Sequence, residues 1–203
     1  VRKNRRIGIK AKPPGDDPLQ SILFSLIGLH TPHLKNRMQV KDRSFLIYAG
    51  IFAEQCRSMA GLEKILSDYF QIPIEGVMFK GQWQNLEPDQ WTYIGKSGQN
   101  QCLGENLVLG TQFWDQAGKF KLCIGPMTLE KMETFFPGGR AFEPLCEITR
   151  LFTRAELNFD IQLTIKAAEV PALRLGSKHG ARLGWTSWLK TKEFTQNDSQ
   201  VLI

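Results

Sequence analysis

Two of the three histidines lie close together, in the run His30-Thr31-Pro32-His33. An H-x-x-H spacing can supply two imidazole ligands to a zinc ion, but a zinc site needs further Cys, His or carboxylate ligands. Pro32 interrupts a helix, and no acidic or thiol neighbour completes a ligand set. The third histidine, His179, lies in a loop-like run. We therefore predict no metal site and interpret the first two histidines as solvated or capping side chains at a helix end.

The cysteines are candidate nucleophiles or disulfide partners. They stand far apart, at Cys56, Cys102, Cys123 and Cys146, and no C-x-x-C pair occurs. A thiol nucleophile needs a base within hydrogen-bond reach, and no local signature of such a Cys/His pair surrounds any of them. Two disulfides are an alternative that a chain of this length does not need. We predict buried, reduced thiols in a cytosolic protein.

Sequence motifs for phosphate, nucleotide or acyl chemistry are absent. The chain contains no G-x-G-x-x-G, no G-x-x-x-x-G-K-[ST], no G-x-S-x-G and no H-E-x-x-H. The run Pro137-Gly138-Gly139-Arg140 resembles an anion-binding turn, but a connection between two helices that needs positive φ explains it better. The pair Asp16-Asp17 suits a helix start rather than an acid/base dyad. We predict no catalytic residue and no cofactor, and hence a protein that is not an enzyme.

Aromatic side chains remain as candidates for function, through binding rather than catalysis. Trp185 and Trp188 stand three residues apart and either complete a core or act as interface anchors. Residues 80–101 form a long polar stretch, which inside a compact domain is usually functional or a linker. Its apolar side chains favour a partner-binding loop. The predicted partner-binding residues are Trp83, Leu86, Trp91, Tyr93, Ile94, Trp185 and Trp188.

The elements that would position these residues begin with a helical unit at residues 18–71. Asp17 is the predicted cap of a helix at 19–29, whose apolar residues on nearly all sides indicate burial on more than one face. A second helix starts at about Phe45. Ser58 is the predicted cap of a third, with apolar residues spaced by three and four up to Phe70.

Residues 72–192 have the pattern of an α+β region. Short strands are predicted at 77–79, 107–114, 119–124 and 159–166, with a hairpin turn at 115–118 between the second and third. Thr128 is the predicted cap of a short helix, and a longer helix follows at about 142–152. We expect short antiparallel strands with the helix pair packed on the sheet, and a polar, frayed tail at 193–203.

Charge is concentrated at one end of the chain. The formal charge is +6, and the first twelve residues hold six of the 26 Lys and Arg and no acid, so the remaining basic residues balance the 20 acidic ones. A basic arm at 1–17 could bind a polyanion, but a neutral body does not favour a nucleic-acid domain. The longest apolar run, residues 22–29, is too short to cross a bilayer. A chain that begins with Val also suggests part of a longer protein.

Several distinctive runs follow one another along the chain: IYAGIFAEQCRSMAGLEKILSDYF (47–70), FKGQW (79–83), LG (109–110) before WD (114–115), GKFKL (118–122), GPMTL (125–129), FPGG (136–139) and RLGWTSWL (182–189). In this order they resemble the TssG family, also called ImpH or VasB, of the bacterial type VI secretion system. The likeness covers roughly residues 18–189. Family members are expected to carry a further N-terminal region before the residues that the likeness covers.

The resemblance implies a non-enzymatic scaffold of the baseplate wedge. Such a subunit assembles with TssF and recruits TssK, alongside TssE and VgrG, and contacts the membrane only indirectly through the adaptor and the membrane complex. It would lie in the cytoplasm at the inner face of the bacterial inner membrane. Our leading hypothesis is that residues 80–101 form the projection that binds TssK. The alternative is a polyanion-binding module acting through the basic arm.

Overall fold

The computed structural model describes residues 18–96, 98–173 and 182–203. The basic arm, the predicted cap Asp17 and the loop histidine His179 lie outside these residues. Contacts divide the chain into two units, Val1–Arg57 and Ser58–Ile203.

The described part of the first unit, residues 18–57, is helical. Helix α1 (Pro18–Ile27) is followed by two 3-10 helices, Pro32–Leu34 and Asp42–Tyr48, and by helix α2 (Ala49–Ala53). Helix α1 ends because Gly28 adopts a φ of 90°, which lets the next N–H groups turn back to the carbonyl of Phe24. The buried side chains of this unit are Phe24, Ile27, Leu29, Val40, Phe45, Tyr48, Ala49 and Phe52.

The prediction that α1 is buried on more than one face is wrong. Phe24 and Ile27 are buried, whereas Ile22 and Leu26 are exposed. The apolar surface of α1 is therefore wider than the face of the helix that is buried. Sequence periodicity reports which faces are apolar, and only the packing partners decide which are buried.

The second unit contains a mixed sheet. Its strands, among the residues described, are β1 (Ile74–Val77), β4 (Lys119–Met127), β5 (Asn158–Ile165) and β6 (Asp198–Leu202), in the order β1-β4-β5-β6. Strands β4 and β5 are parallel, and the other pairs are antiparallel. The α+β class is confirmed. The parallel pair departs from the expected antiparallel strands, because the helices that separate β4 from β5 form a crossover.

Within the described part of the unit, three α-helices accompany this sheet: α3 (Met59–Phe70), α4 (Leu129–Glu133) and α5 (Phe142–Thr153). The predicted cap of α3 is confirmed, since the Ser58 hydroxyl accepts a 3.2 Å hydrogen bond from the N–H of Gly61. Helix α3 contacts β1 and α5. The alternation predicted for β4 and β5 is present, with inward residues Phe120, Leu122, Ile124, Ile161, Leu163 and Ile165 buried.

Strands β2 (Gln82–Asn85) and β3 (Gln112–Asp115) pair with each other as a separate antiparallel hairpin. The predicted hairpin turn between β3 and β4 is therefore wrong. The turn-like composition of residues 115–118 has another cause. Oδ1 of Asp115 accepts hydrogen bonds from the N–H groups of Ala117 and Gly118, both at 3.1 Å, and this turn lets the chain pass from the hairpin to the main sheet. Residues 86–111 connect the hairpin strands, so the predicted loop at 80–101 includes one strand and omits its partner.

The C-terminal segment is more ordered than expected. Part of the tail predicted to be frayed forms β6, which pairs with β5 and buries Val201. The sequence of β6 is polar apart from its last residues, so it has no clear strand pattern of its own. It forms a strand because it pairs with β5, which is distant in sequence.

Candidate partner-binding surface

Two exposed tryptophans face each other across the β2–β3 hairpin. Trp83 lies opposite Trp114 in the strand register, and the ring centroids are 5.4 Å apart in an edge-to-face arrangement. Cross-strand aromatic pairs of this geometry stabilise two-stranded sheets. The side chains nevertheless remain 65% and 48% exposed. The hairpin therefore presents its largest apolar side chains on a surface that the described residues do not cover.

The side chain of Gln116 connects this pair to the chain segment before β2. Its Oε1 accepts a 2.7 Å hydrogen bond from the indole N–H of Trp114, and its Nε2 donates a 2.6 Å hydrogen bond to the carbonyl of Phe79. Phe79 has a φ of 58°, a region that bulky residues rarely occupy, and its ring is exposed. Backbone strain of this kind is commonly retained at functional sites. We call Phe79, Trp83 and Trp114 the aromatic platform.

Gly81 allows the platform to pack closely. Its φ is 62°, and a Cβ placed there would lie 2.2 Å from Cζ2 of Trp114. Only glycine provides both the backbone conformation and the space for the indole ring. The Gln82 side chain then secures the base of the hairpin, since its Oε1 accepts a 3.0 Å hydrogen bond from Nδ2 of Asn158 in β5.

The connection at residues 86–111 is held by its own polar groups. The indole N–H of Trp91 donates a 3.0 Å hydrogen bond to the carbonyl of Leu86, and both side chains are half-buried. The Thr92 hydroxyl lies 2.9 Å from the carbonyl of Val108, and Nδ2 of Asn100 donates to the carbonyl of Asp89 at 2.8 Å. Leu86 and Trp91 thus order the loop from within.

Other apolar side chains of this connection are exposed. Tyr93 and Ile94 from the predicted set are among them, and Ile94 is 89% exposed. The exposed large apolar residues between β2 and the end of β3 also include Leu103, Leu109 and Phe113. Sequence reasoning missed these three, together with Phe79 and Trp114. For Trp114 the available signal was its position at the end of a predicted strand, next to a polar turn. The pattern of residues 107–114 nevertheless predicts a strand of the main sheet, in which this Trp would be part of the core.

The remaining two predicted residues contact different elements. Trp188 is buried, and its indole N–H donates a 2.7 Å hydrogen bond to Oδ2 of Asp198 at the start of β6. Trp185 is half-buried and stacks on buried Phe136, with ring centroids 5.1 Å apart. Of the two alternatives left open by the sequence, this placement favours the core for Trp188.

The reactive side chains, histidines and cysteines, do not form a catalytic arrangement in the described residues. Nδ1 of His30 lies 3.2 Å from the Ser21 hydroxyl, and no group of three or more His, Cys, Asp or Glu residues there could hold a metal ion. Cys56 and Cys102 are exposed, contrary to the predicted burial, while Cys146 is buried. Burial raises the pKa of the Cys146 thiol, which disfavours the reactive thiolate.

The run Pro137-Gly138-Gly139 lies in the connection between α4 and α5. Gly138 has a φ of 85°, as expected for such a connection, and the N–H of Gly139 donates to the carbonyl of Phe136 at 2.7 Å. A Cβ at Gly139 would lie 2.3 Å from the carbonyl oxygen of Thr134. The second glycine is therefore required by the close approach of the backbone at the end of α4.

None of the described helices is long and apolar enough to cross a membrane.

No curated protein matches the sequence. Two solved structures have a similar fold. A chain in the type VI secretion system TssK-TssF-TssG baseplate subcomplex superposes with a TM-score of 0.72 at 17% identity, over 93% of this chain and 80% of that one. A chain in the baseplate complex from the type VI secretion system gives 0.58 at 18% identity, over 93% and 54%. The family model described as "Type VI secretion, TssG" matches residues 1–190.

Proposed function

Because the chain belongs to the TssG family of type VI secretion proteins, we propose that it is a structural subunit of the baseplate wedge. In this role it assembles with TssF and recruits TssK, and the complex forms the platform for the contractile tail. TssE and VgrG are further neighbours in the same assembly. The subunit performs no catalysis, and it works in the cytoplasm at the inner face of the inner membrane.

Two kinds of observation support a scaffold. The first is that a chain of similar fold was solved in a TssK-TssF-TssG baseplate subcomplex. The second is the distribution of apolar side chains. In the described residues, large apolar side chains are exposed in clusters on the hairpin and its connecting loop. Exposed clusters of this kind mark protein interfaces.

The observation that carries the TssK assignment is the exposed, fixed aromatic platform with its neighbouring loop. Tryptophan and tyrosine dominate interface hot spots because they bury a large area at low entropic cost. The hydrogen bonds of Gln116 and the ring contact between the two tryptophans fix these side chains before binding. TssK would therefore meet a preorganised surface, which reduces the ordering cost of association.

The charge of the hairpin adds to its specificity. From residue 80 to 116 the sequence holds Lys80 and Lys96 against Glu87, Asp89, Glu105 and Asp115, a net charge of −2. A complementary surface on TssK would be apolar with a basic rim, since complementary charge promotes encounter and excludes other partners.

The test is co-expression of the chain with TssF and TssK, followed by affinity capture on a tag on the chain. Trp83→Ala combined with Ile94→Ala should weaken retention of TssK by about tenfold or more, as expected for hot-spot residues. Leu202→Ala, an exposed apolar residue in β6, is the matched control. The far-ultraviolet circular dichroism spectrum should be unchanged in both. Undiminished TssK retention by the double variant would refute the assignment.

A further inference from the structure

A cavity lies between helix α5 and the base of the β2–β3 hairpin, within the second unit. It measures about 410 Å³, which is within the range of roughly 300–1,000 Å³ that small-ligand sites occupy. Its lining comes from one face of α5, from the segment after that helix, and from the starts of β2, β4 and β5. We call it the α5 cavity. No residue of the aromatic platform lines it.

Helix α5 contributes an apolar wall and one cation. Phe142, Cys146 and Arg150 line the cavity, and their spacing of four residues places them on one face of the helix. Cys146 is buried, whereas Arg150, in the last turn of the helix, is exposed. The guanidinium group therefore lies at the open side of the cavity, where a charged group of a ligand can reach it.

The charges of the lining favour an anion. Nζ of Lys119 lies 2.7 Å from Oδ1 of Asp160, so these two charges compensate each other. Arg150 forms no ion pair with any of the described residues. The acids of α5, Glu143 and Glu147, lie outside the lining, which holds two cations and one anion, a net charge of +1. A guanidinium offers a planar fork of N–H donors that fits a carboxylate.

A buried amide group at the hairpin end of the cavity also favours a ligand with acceptor oxygens. Oε1 of Gln82 accepts the hydrogen bond from Asn158, and both residues line the cavity. Nε2 of Gln82 is buried and has no hydrogen-bond partner among the described residues. A buried donor without an acceptor is unfavourable. A ligand oxygen at this end would supply the acceptor, which a cationic ligand could not do.

The backbone beside the cavity is strained. Arg154 and Ala155 follow α5 with φ angles of 56° and 57°. Positive φ is unfavourable for residues with a Cβ, and backbone strain of this kind is commonly retained at ligand-binding sites. Ala155 and Leu157 are part of the lining. The strained turn thus brings apolar side chains to the cavity that also contains Arg150.

We propose that the α5 cavity binds a small organic monocarboxylate, whose carboxylate pairs with Arg150 and whose apolar body lies against Phe142 and Leu157. One negative charge balances the net charge of the lining, whereas a phosphate monoester carries about −1.5 to −2. This site goes beyond the proposed function, because it involves a different ligand and different residues. Failure of either assignment leaves the other intact.

Isothermal titration calorimetry of the full chain with hexanoate tests the site. We expect a dissociation constant of about 1 mM or lower for a ligand of this size. Arg150→Gln should weaken hexanoate binding by about tenfold or more, because the carboxylate loses a charge-assisted pair. Arg154→Gln removes the same charge from an exposed residue outside the lining and should bind like the wild type. Both variants should melt at the wild-type temperature without ligand, since both arginines are exposed.

Cys146 provides a second readout within the cavity. Bound hexanoate should slow the alkylation of Cys146 by iodoacetamide at alkaline pH, while exposed Cys102 is labelled at an unchanged rate. Unchanged labelling of Cys146 at saturating hexanoate would place the ligand elsewhere and overturn the proposal.

The calorimetry can overturn the proposal in several ways. A wild-type chain that does not bind hexanoate does so, and so does an Arg150→Gln chain with wild-type affinity. Equal losses in Arg150→Gln and Arg154→Gln would show an unspecific effect of charge. Equal affinity for hexanol would show that only the apolar body is recognised, and tighter binding of hexyl phosphate would assign the cavity to phosphate esters. Each of these three results also refutes the monocarboxylate site.

Discussion

A carboxylate oxygen of Glu63 in α3 accepts a 2.7 Å hydrogen bond from the backbone N–H of Gly76 in β1. Strand β1 is at one edge of the four-stranded sheet, and the Ser67 hydroxyl accepts a second hydrogen bond from the N–H of Ile74 at 3.0 Å. Side chains of α3 thus accept hydrogen bonds from edge N–H groups that a neighbouring strand would otherwise accept. Met59 occupies the space beside Gly76, where a Cβ would lie 2.2 Å from its sulfur. A covered edge of this kind does not template pairing with other chains.

Glu63→Ala should lower the free energy of unfolding by about 1–3 kcal/mol, because a part-buried N–H loses its acceptor. Glu63→Gln keeps an oxygen acceptor and should cost less. Urea unfolding followed by circular dichroism measures both, with the exposed neighbour Glu75→Ala as control. A Glu63→Ala chain as stable as the control would show that the edge is held by other contacts.

Gly81→Ala should disturb the aromatic platform. The added methyl group strains a backbone with positive φ and collides with the ring of Trp114. Gly110→Ala is a matched control, since Gly110 has a φ of 91° and a Cβ added there would meet nothing within 4 Å. Near-ultraviolet circular dichroism and tryptophan fluorescence should change only for Gly81→Ala. TssK retention should fall with them, and equal effects at the two glycines would exclude the ring contact as the cause.

Trp188→Phe should destabilise the second unit by about 1–3 kcal/mol, since it leaves the buried carboxylate of Asp198 without the indole donor. Asp198→Asn retains a carbonyl acceptor and should have a smaller effect. Thermal unfolding provides the measurement. A Trp188→Phe chain as stable as the wild type would show that this hydrogen bond contributes little to the fold.

The cysteines should differ in reactivity. Exposed Cys56 and Cys102 should be alkylated rapidly by iodoacetamide, and Cys146 only slowly.

Burial, the largest cause, raises the pKa of the Cys146 thiol above its ordinary value of 9.0, with nearby Arg150 opposing the shift. A raised pKa means that the folded state holds the proton more tightly than the unfolded state. The associated stability is therefore complete below pH 9.0 and declines as the pH rises further.

Mass spectrometry of peptides after timed alkylation distinguishes the individual cysteines. Labelling of Cys146 should increase only above pH 9.0 or on addition of urea. Equal labelling of Cys146 and Cys102 at neutral pH would contradict both the burial and the direction of the pKa shift.

The sequence was sufficient where the physical signal is local. The serine before α3 accepts the N–H three residues on, as expected of a cap. Alternation in β4 and β5 identified their inward residues, because successive side chains of a strand point to opposite faces. The run of glycines between α4 and α5 also has the conformation that its composition predicts, since a requirement for positive φ is a property of single residues.

Pairing partners depended on the tertiary structure. The turn composition at residues 115–118 indicated that β3 pairs with β4, whereas β3 pairs with distant β2. Strand β6 has little pattern of its own and is ordered by β5. Backbone hydrogen bonds join strands whatever their side chains, so a sequence pattern locates a strand more reliably than it identifies its neighbour.

For the binding surfaces, the sequence predicts that aromatic residues bind the partners, and its ordered motifs indicated the TssG family, which the family model confirms. Which aromatic residues are available depends on the tertiary structure. Trp188 is buried against Asp198, while Trp114, which the sequence placed in the main sheet, stands exposed beside Trp83. The reason is physical: an indole is apolar enough for a core and large enough for an interface, and only its neighbours in space determine which of the two it joins.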